Sequence, residues 1–155
     1  MVLCIGTPPP KYGYPTGVPK QARLSPVKSK RNGDAMKSIG LDLDGTISEA
    51  PQFFALLSAV LKAAGHQVHI ITYRDPSPQS IEETKQELAD WKISYDALHI
   101  PSDDFGMGMG EWKRSVAEKL SPSLDLMFDD SLEVLSLMPK GILRMWVLPE
   151  DVLRD

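Results

Sequence analysis

From the segment "SIGLDL" (residues 38 to 43) onward, short apolar runs alternate five times with longer stretches of helical period. "SIGLDL", "QVHIIT", "ALHI", "LDLMF" and "ILRMWV" are short and rich in branched or large apolar residues, as strands covered on both faces are. Between them lie "PQFFALLSAVLKAAG", with Pro51 in its first turn and Gly65 to end it, and "SPQSIEETKQELADW", which Ser77 or Ser80 can cap. "EWKRSVAEKL" and "SLEVLSLM", the latter stopped by Pro139, complete the helical set. Alternation of this regularity restricts the chain to parallel strands joined by right-handed crossovers. The predicted fold is α/β: a three-layer, Rossmann-like domain with a mainly parallel five-stranded sheet and helices on both faces.

Length and composition agree with one such domain. The 155 residues, 42% hydrophobic and 25% charged, suffice for one real core rather than two. Charge divides the chain unevenly: residues 1–37 carry seven Lys or Arg and one acid, the remainder ten against twenty. The boundary is drawn at a Pro/Gly-rich basic tail over 1–36, expected to be flexible, and a domain over 37–155, with Met36 a natural starting point. An acidic body disfavours nonspecific nucleic-acid binding, so nucleic acid is a partner only if the basic tail supplies the contact. Cys4 is the single cysteine, which excludes an intramolecular disulfide and a cysteine metal cluster. No apolar run reaches membrane-spanning length and no secretory pattern opens the chain, so no membrane partner and a cytoplasmic location are expected.

In an open parallel sheet, ligands bind beyond the carboxyl ends of the strands. The residues leaving those ends are Asp42, Asp44 and Gly45-Thr46 after the first strand, Thr72-Tyr73-Arg74 after the second, and Asp129-Asp130-Ser131 after the fourth. Four carboxylates would thus gather on one rim. Such crowding raises carboxyl pKa values and destabilises a fold unless a cation neutralises it, and an all-oxygen donor set favours a hard ion such as Mg²⁺.

These residues resemble a known family. "LDLDGTI", a Thr ending the second strand, a Lys early in a later helix and "FDD" ending the fourth strand are together similar to the haloacid dehalogenase superfamily of phosphotransferases, over residues 38 to 148. The resemblance implies a small, capless phosphatase in which Asp42 attacks phosphorus to give an aspartyl-phosphate and Asp44 serves as general acid, then base. It further implies Mg²⁺ held by Asp42, Asp129 and the backbone carbonyl of Asp44, with Asp130 a second metal ligand or a partner of one. Thr72 would bind a phosphoryl oxygen, with Tyr73 and Arg74 beside it, and Lys113 would offset transition-state charge. Lys119 is the rival for that last role, but it lies two turns further from the rim.

Three further expectations follow. Only 28 positions separate Asp44 from Thr72, leaving no room for a cap domain, so an open site would suit a large substrate, a lid from a partner, or a neighbour in a homo-oligomer. His66 and His69 read as structural, and Arg74 as either a phosphate contact or a surface ion pair. "DDFGMGMGEW" reads as a loop beside the site in which Phe105, Met107, Met109 or Trp112 either lines a pocket or simply packs. The expected activity is Mg²⁺-dependent hydrolysis of a phosphorylated small molecule or nucleotide. The alternatives are a phosphatase of nucleic-acid ends that uses the tail, and a binding module with little turnover.

Overall fold

The computed structural model describes residues 37–102, 106–120 and 124–148; the tail with Cys4, and Phe105 in the glycine-rich loop, lie outside them. In chain order the elements are β1 (Ser38–Leu41), α1 (Pro51–Ala63), β2 (Gln67–Ile71), α2 (Pro78–Asp90), β3 (Ala97–His99), α3 (Met109–Lys119), β4 (Leu126–Asp129), α4 (Leu132–Leu137) and β5 (Leu143–Trp146). Among the described residues, all five strands join one sheet in the order β3-β2-β1-β4-β5, and every pairing is parallel. The α/β, three-layer expectation therefore holds, including the number of strands.

Local chemistry places the ends of these elements. Pro51 stands at the first position of α1, where its missing N–H costs nothing, and Gly65 follows that helix at φ +84°, a conformation open to glycine. Ser77 is the cap of α2, its hydroxyl accepting from the Ser80 N–H at 3.3 Å, which decides between the two serines. Ser131 does the same for α4, accepting from Val134 N–H at 3.3 Å.

β1 is the central strand and all four of its residues are buried, as an apolar run without alternation predicts. Ile39 and Leu41 face one core with Val68 and Ile70 of β2, Phe54 of α1 and Leu88 of α2. The opposite core joins Ile71 and Met127 to Trp112 of α3 and Val134 and Leu135 of α4. Helices α1 and α2 thus cover one face of the sheet, and α3 and α4 the other. Gly40 points toward the second core, where a Cβ would stand 2.6 Å from the Met127 sulfur. Its lack of a side chain lets Met127 fill the centre of the sheet. No helix among the described residues is long and apolar enough to cross a membrane.

Candidate active site

β1 and β4 are neighbours at the centre of the sheet, and strand order reverses between them. From β1 the chain moves outward to β2 over one face; from β4 it moves to β5 over the other. The two exit loops part, and a crevice opens over the strand ends. Asp42 and Asp129 stand at those ends, 3% and 0% exposed. Leu41 pairs with Phe128 in the ladder, and the Asp42 N–H donates to the Phe128 carbonyl at 3.0 Å, which fixes the two acids side by side.

Lys113 reaches the same crevice from the early turns of α3 and is 1% exposed. Its Nζ lies 2.7 Å from Asp42 Oδ1 and 2.8 Å from Asp129 Oδ2. Lys119 is exposed at the far end of the helix. Burial pushes the Asp42 carboxyl up to about 7; Lys113 opposes the shift, and the neighbouring charge of Asp129 adds to it. Burial likewise pushes Asp129 up. Lys113 is itself desolvated, yet Asp42 and then Asp129 hold it above its ordinary value. Asp129 is steadied further by the Ser131 N–H, which donates to its Oδ1 at 2.9 Å.

Asp130, half-buried, completes an acidic group: one oxygen from each of Asp42, Asp129 and Asp130 lies within 4.8 Å of the others. The three carboxyl groups around the buried ammonium offer only oxygen donors, a set that fits a hard divalent ion, and such an ion would favour their ionised forms against the protonation that burial promotes. Gly45 makes this packing possible. It sits at φ +79°, and a Cβ there would lie 2.4 Å from Asp130 Oδ2. The turn after β1 therefore needs glycine both for its backbone angle and for the approach of Asp130.

Asp44 lies beyond this group, on the β2 side. Arg74 grips its carboxylate with two parallel bonds, Nε to Oδ2 at 2.8 Å and Nη2 to Oδ1 at 2.5 Å, while the Thr72 hydroxyl donates to Oδ2 at 3.3 Å. Arg74 Nη1 is held in turn by Glu87 at 2.6 Å and by the Thr84 hydroxyl at 3.1 Å, both from α2. The hydrogen bonds from Arg74 depress the Asp44 pKa below the usual carboxylate range despite partial burial. Asp44 is thereby kept in the form that accepts a proton, and it can donate one only when this clamp loosens.

The sequence-predicted residues thus fall into two adjoining clusters, Asp42, Lys113, Asp129 and Asp130 in one, Asp44, Thr72 and Arg74 in the other. Thr72 and Arg74 both engage the Asp44 carboxylate. The Tyr73 hydroxyl donates to the Met107 carbonyl at 2.5 Å and accepts from the Gly106 N–H at 3.2 Å, bracing the glycine-rich loop while its ring meets Trp112 edge-on. Trp112 is buried as packing, whereas Met107 and Met109 are exposed. His66 accepts from the Lys37 N–H and His69 meets His99 across β2 and β3. Sequence reasoning passed over Thr84 and Glu87. Their three-residue spacing, which puts both on one face of a helix, was the available signal.

No family model matches the chain, and no curated protein matches it. Among solved structures, a chain of the Pnkp1/Rnl/Hen1 RNA repair complex superposes with a TM-score of 0.61 at 21% identity, over 75% of this chain and 43% of that one. The likeness is one of fold. This chain spans less than half of that relative's length. An uncharacterized protein from Corynebacterium glutamicum ATCC 13032 Kitasato aligns at 14% identity and a TM-score of 0.49, over 76% of this chain and 88% of its own.

Proposed function

We propose that the chain is a phosphomonoester hydrolase of the haloacid dehalogenase type, Mg²⁺-dependent and working through an aspartyl-phosphate on Asp42. The observation that supports this most is the buried Asp42–Lys113–Asp129 group at the switch point of the sheet, with Asp130 beside it. A core would not retain two acids and a lysine for stability alone, because each desolvated charge costs on the order of several kcal/mol before pairing returns it. A carboxylate nucleophile beside a fixed ammonium is an arrangement suited to phosphoryl transfer.

Asp42 would hold the ion together with Asp129, Asp130 and, on the family pattern, the backbone carbonyl of Asp44; the ion would screen the anionic phosphate from the carboxylates. The Asp42 oxygen forms a bond to phosphorus as the bond from phosphorus to the alcohol oxygen breaks, and the departing alkoxide takes a proton from Asp44. Water then attacks the same phosphorus, surrenders its proton to Asp44, and releases Asp42 and inorganic phosphate. Lys113 stabilises the negative charge that builds on the phosphoryl oxygens. Asp44 must leave the Arg74 clamp to protonate the alcohol, so the observed pairing is the resting arrangement.

Phosphate release from p-nitrophenyl phosphate, with Mg²⁺ and with a chelator, tests the reading. Turnover that needs Mg²⁺ and vanishes in Asp42→Asn is the expected result. Wild-type turnover no greater than that of Asp42→Asn overturns it.

A further inference from the structure

All residues of β5, the outer strand beside β4, are exposed. Side chains alternate along a strand, so Arg144 and Trp146 share one face, and Leu143 and Met145 the other. Arg144 donates from Nη2 to the Met138 carbonyl at 2.8 Å, which places the face of Arg144 and Trp146 on the α4 side. Trp146 ends the strand in register with Asp129 and so stands at the same carboxyl rim as the acidic group. Its indole Nε1–H donates to the backbone carbonyl of Asp130 at 2.8 Å, yet the residue remains 42% exposed.

An indole is ordinarily kept from water, and this one has its polar atom satisfied and its orientation set by the main chain of a residue whose carboxylate belongs to the acidic group. What it offers to solvent is ring surface. Leu132, two positions after Asp130 at the start of α4, is also exposed. The whole of Asp130 separates the carbonyl that anchors the indole from the carboxylate that faces the ion site. Trp146 and Asp129 are partners on neighbouring strands, about 5 Å apart along the ladder, so a planar group on the ring lies beside the acidic group rather than within it. The acid-rich body disfavours a long polyanion but leaves an uncharged ring unopposed.

Resting on the phosphatase reading above, we propose that Trp146 is a stacking platform for the base of the substrate, and that the preferred substrates are nucleoside monophosphates rather than alkyl or sugar phosphates. Base stacking on an aromatic side chain accepts any base, so little discrimination among bases is expected.

The test compares kcat/KM for a purine nucleoside monophosphate, p-nitrophenyl phosphate and glycerol phosphate in wild type, Trp146→Ala and Trp146→Phe. Wild type should prefer the nucleotide to glycerol phosphate, and Trp146→Ala should lower that preference by about tenfold or more, through KM, with Trp146→Phe restoring most of it. A ratio unmoved in Trp146→Ala overturns the proposal. So does a preference for p-nitrophenyl phosphate lost in the same variant, which would assign the ring to directly linked aryl groups. Calorimetric binding of the nucleotide to Asp42→Asn, with and without Trp146→Ala, separates the two readings. Affinity that depends on Trp146, in a protein that hydrolyses none of the three esters, upholds the platform and rejects the phosphatase; affinity indifferent to Trp146 rejects the platform whatever the turnover.

Discussion

Lys113 is the residue on which the chemistry and the stability of this site meet. Its ammonium pairs with two buried carboxylates, so its removal leaves both without that cation. Lys113→Ala should lower turnover at least about tenfold, some 1.4 kcal/mol in barrier, while Lys119→Ala at the exposed end of α3 changes little. Lys113→Met, which keeps the bulk and loses the charge, should destabilise the fold by about 3–5 kcal/mol in urea unfolding, and pairing it with Asp129→Asn should recover part of the loss. Asp44 makes a different prediction. A nitrophenolate leaves without protonation and an alkoxide does not, so Asp44→Asn should depress kcat/KM for an alkyl phosphate far more than for p-nitrophenyl phosphate. Equal losses on the two would remove Asp44 from the acid role. Gly45→Ala would have to force a side chain to 2.4 Å from Asp130 at an unfavourable backbone angle, and loss of metal affinity is its expected result.

The elements were legible where their periodicity is local. Pro51, Gly65, Ser77 and Pro139 mark boundaries by their own backbone chemistry, and the acids at the ends of β1 and β4 announce themselves because an apolar run seldom stops in paired carboxylates. What could not be read was which charge meets which. Arg74 meets Asp44 across thirty positions and Lys113 meets Asp129 across sixteen, and both meetings depend on strand order, which alternation alone leaves open. Trp146 gave no signal at all, since an aromatic residue in the last strand reads as core. The pairing of β2 with β3 carries a consequence of its own. His69 Nδ1 and His99 Nε2 stand 3.1 Å apart, and burial pushes both rings below the ordinary value of 6.5, with His69 adding to the shift of His99. A depressed histidine contributes its stability while neutral, that is, above the unfolded value, and loses it as pH falls from about 6.5 through the folded value. The pair thus lowers the thermal midpoint on acidification below about pH 6.5, while Asp42 and Asp129, held above the ordinary carboxyl range, raise it in the same window by taking up protons in the folded state; relative to wild type, His99→Gln should therefore move the acid limb of the profile to higher midpoints.

At the scale of the whole molecule, a doubly wound sheet brings the ends of β1 and β4 together and directs their loops apart, and this one topological fact makes the crevice. The acids gathered there repel one another in the free protein, so an ion that binds only the folded state must stabilise it. Mg²⁺ at a hundredfold excess over its dissociation constant should contribute about 2.7 kcal/mol, seen as a rise in thermal midpoint that Asp129→Asn abolishes. In the proposed reaction Asp42 itself becomes phosphorylated. Rapid acid quench of the full chain during turnover of a phosphate ester, followed by peptide mass analysis, examines that directly. The mass of one phosphoryl group on the peptide containing Asp42, labile to hydroxylamine and missing in Asp42→Asn, is the predicted outcome. Phosphate released at full rate with no phosphoryl group on that peptide at any time point would contradict it.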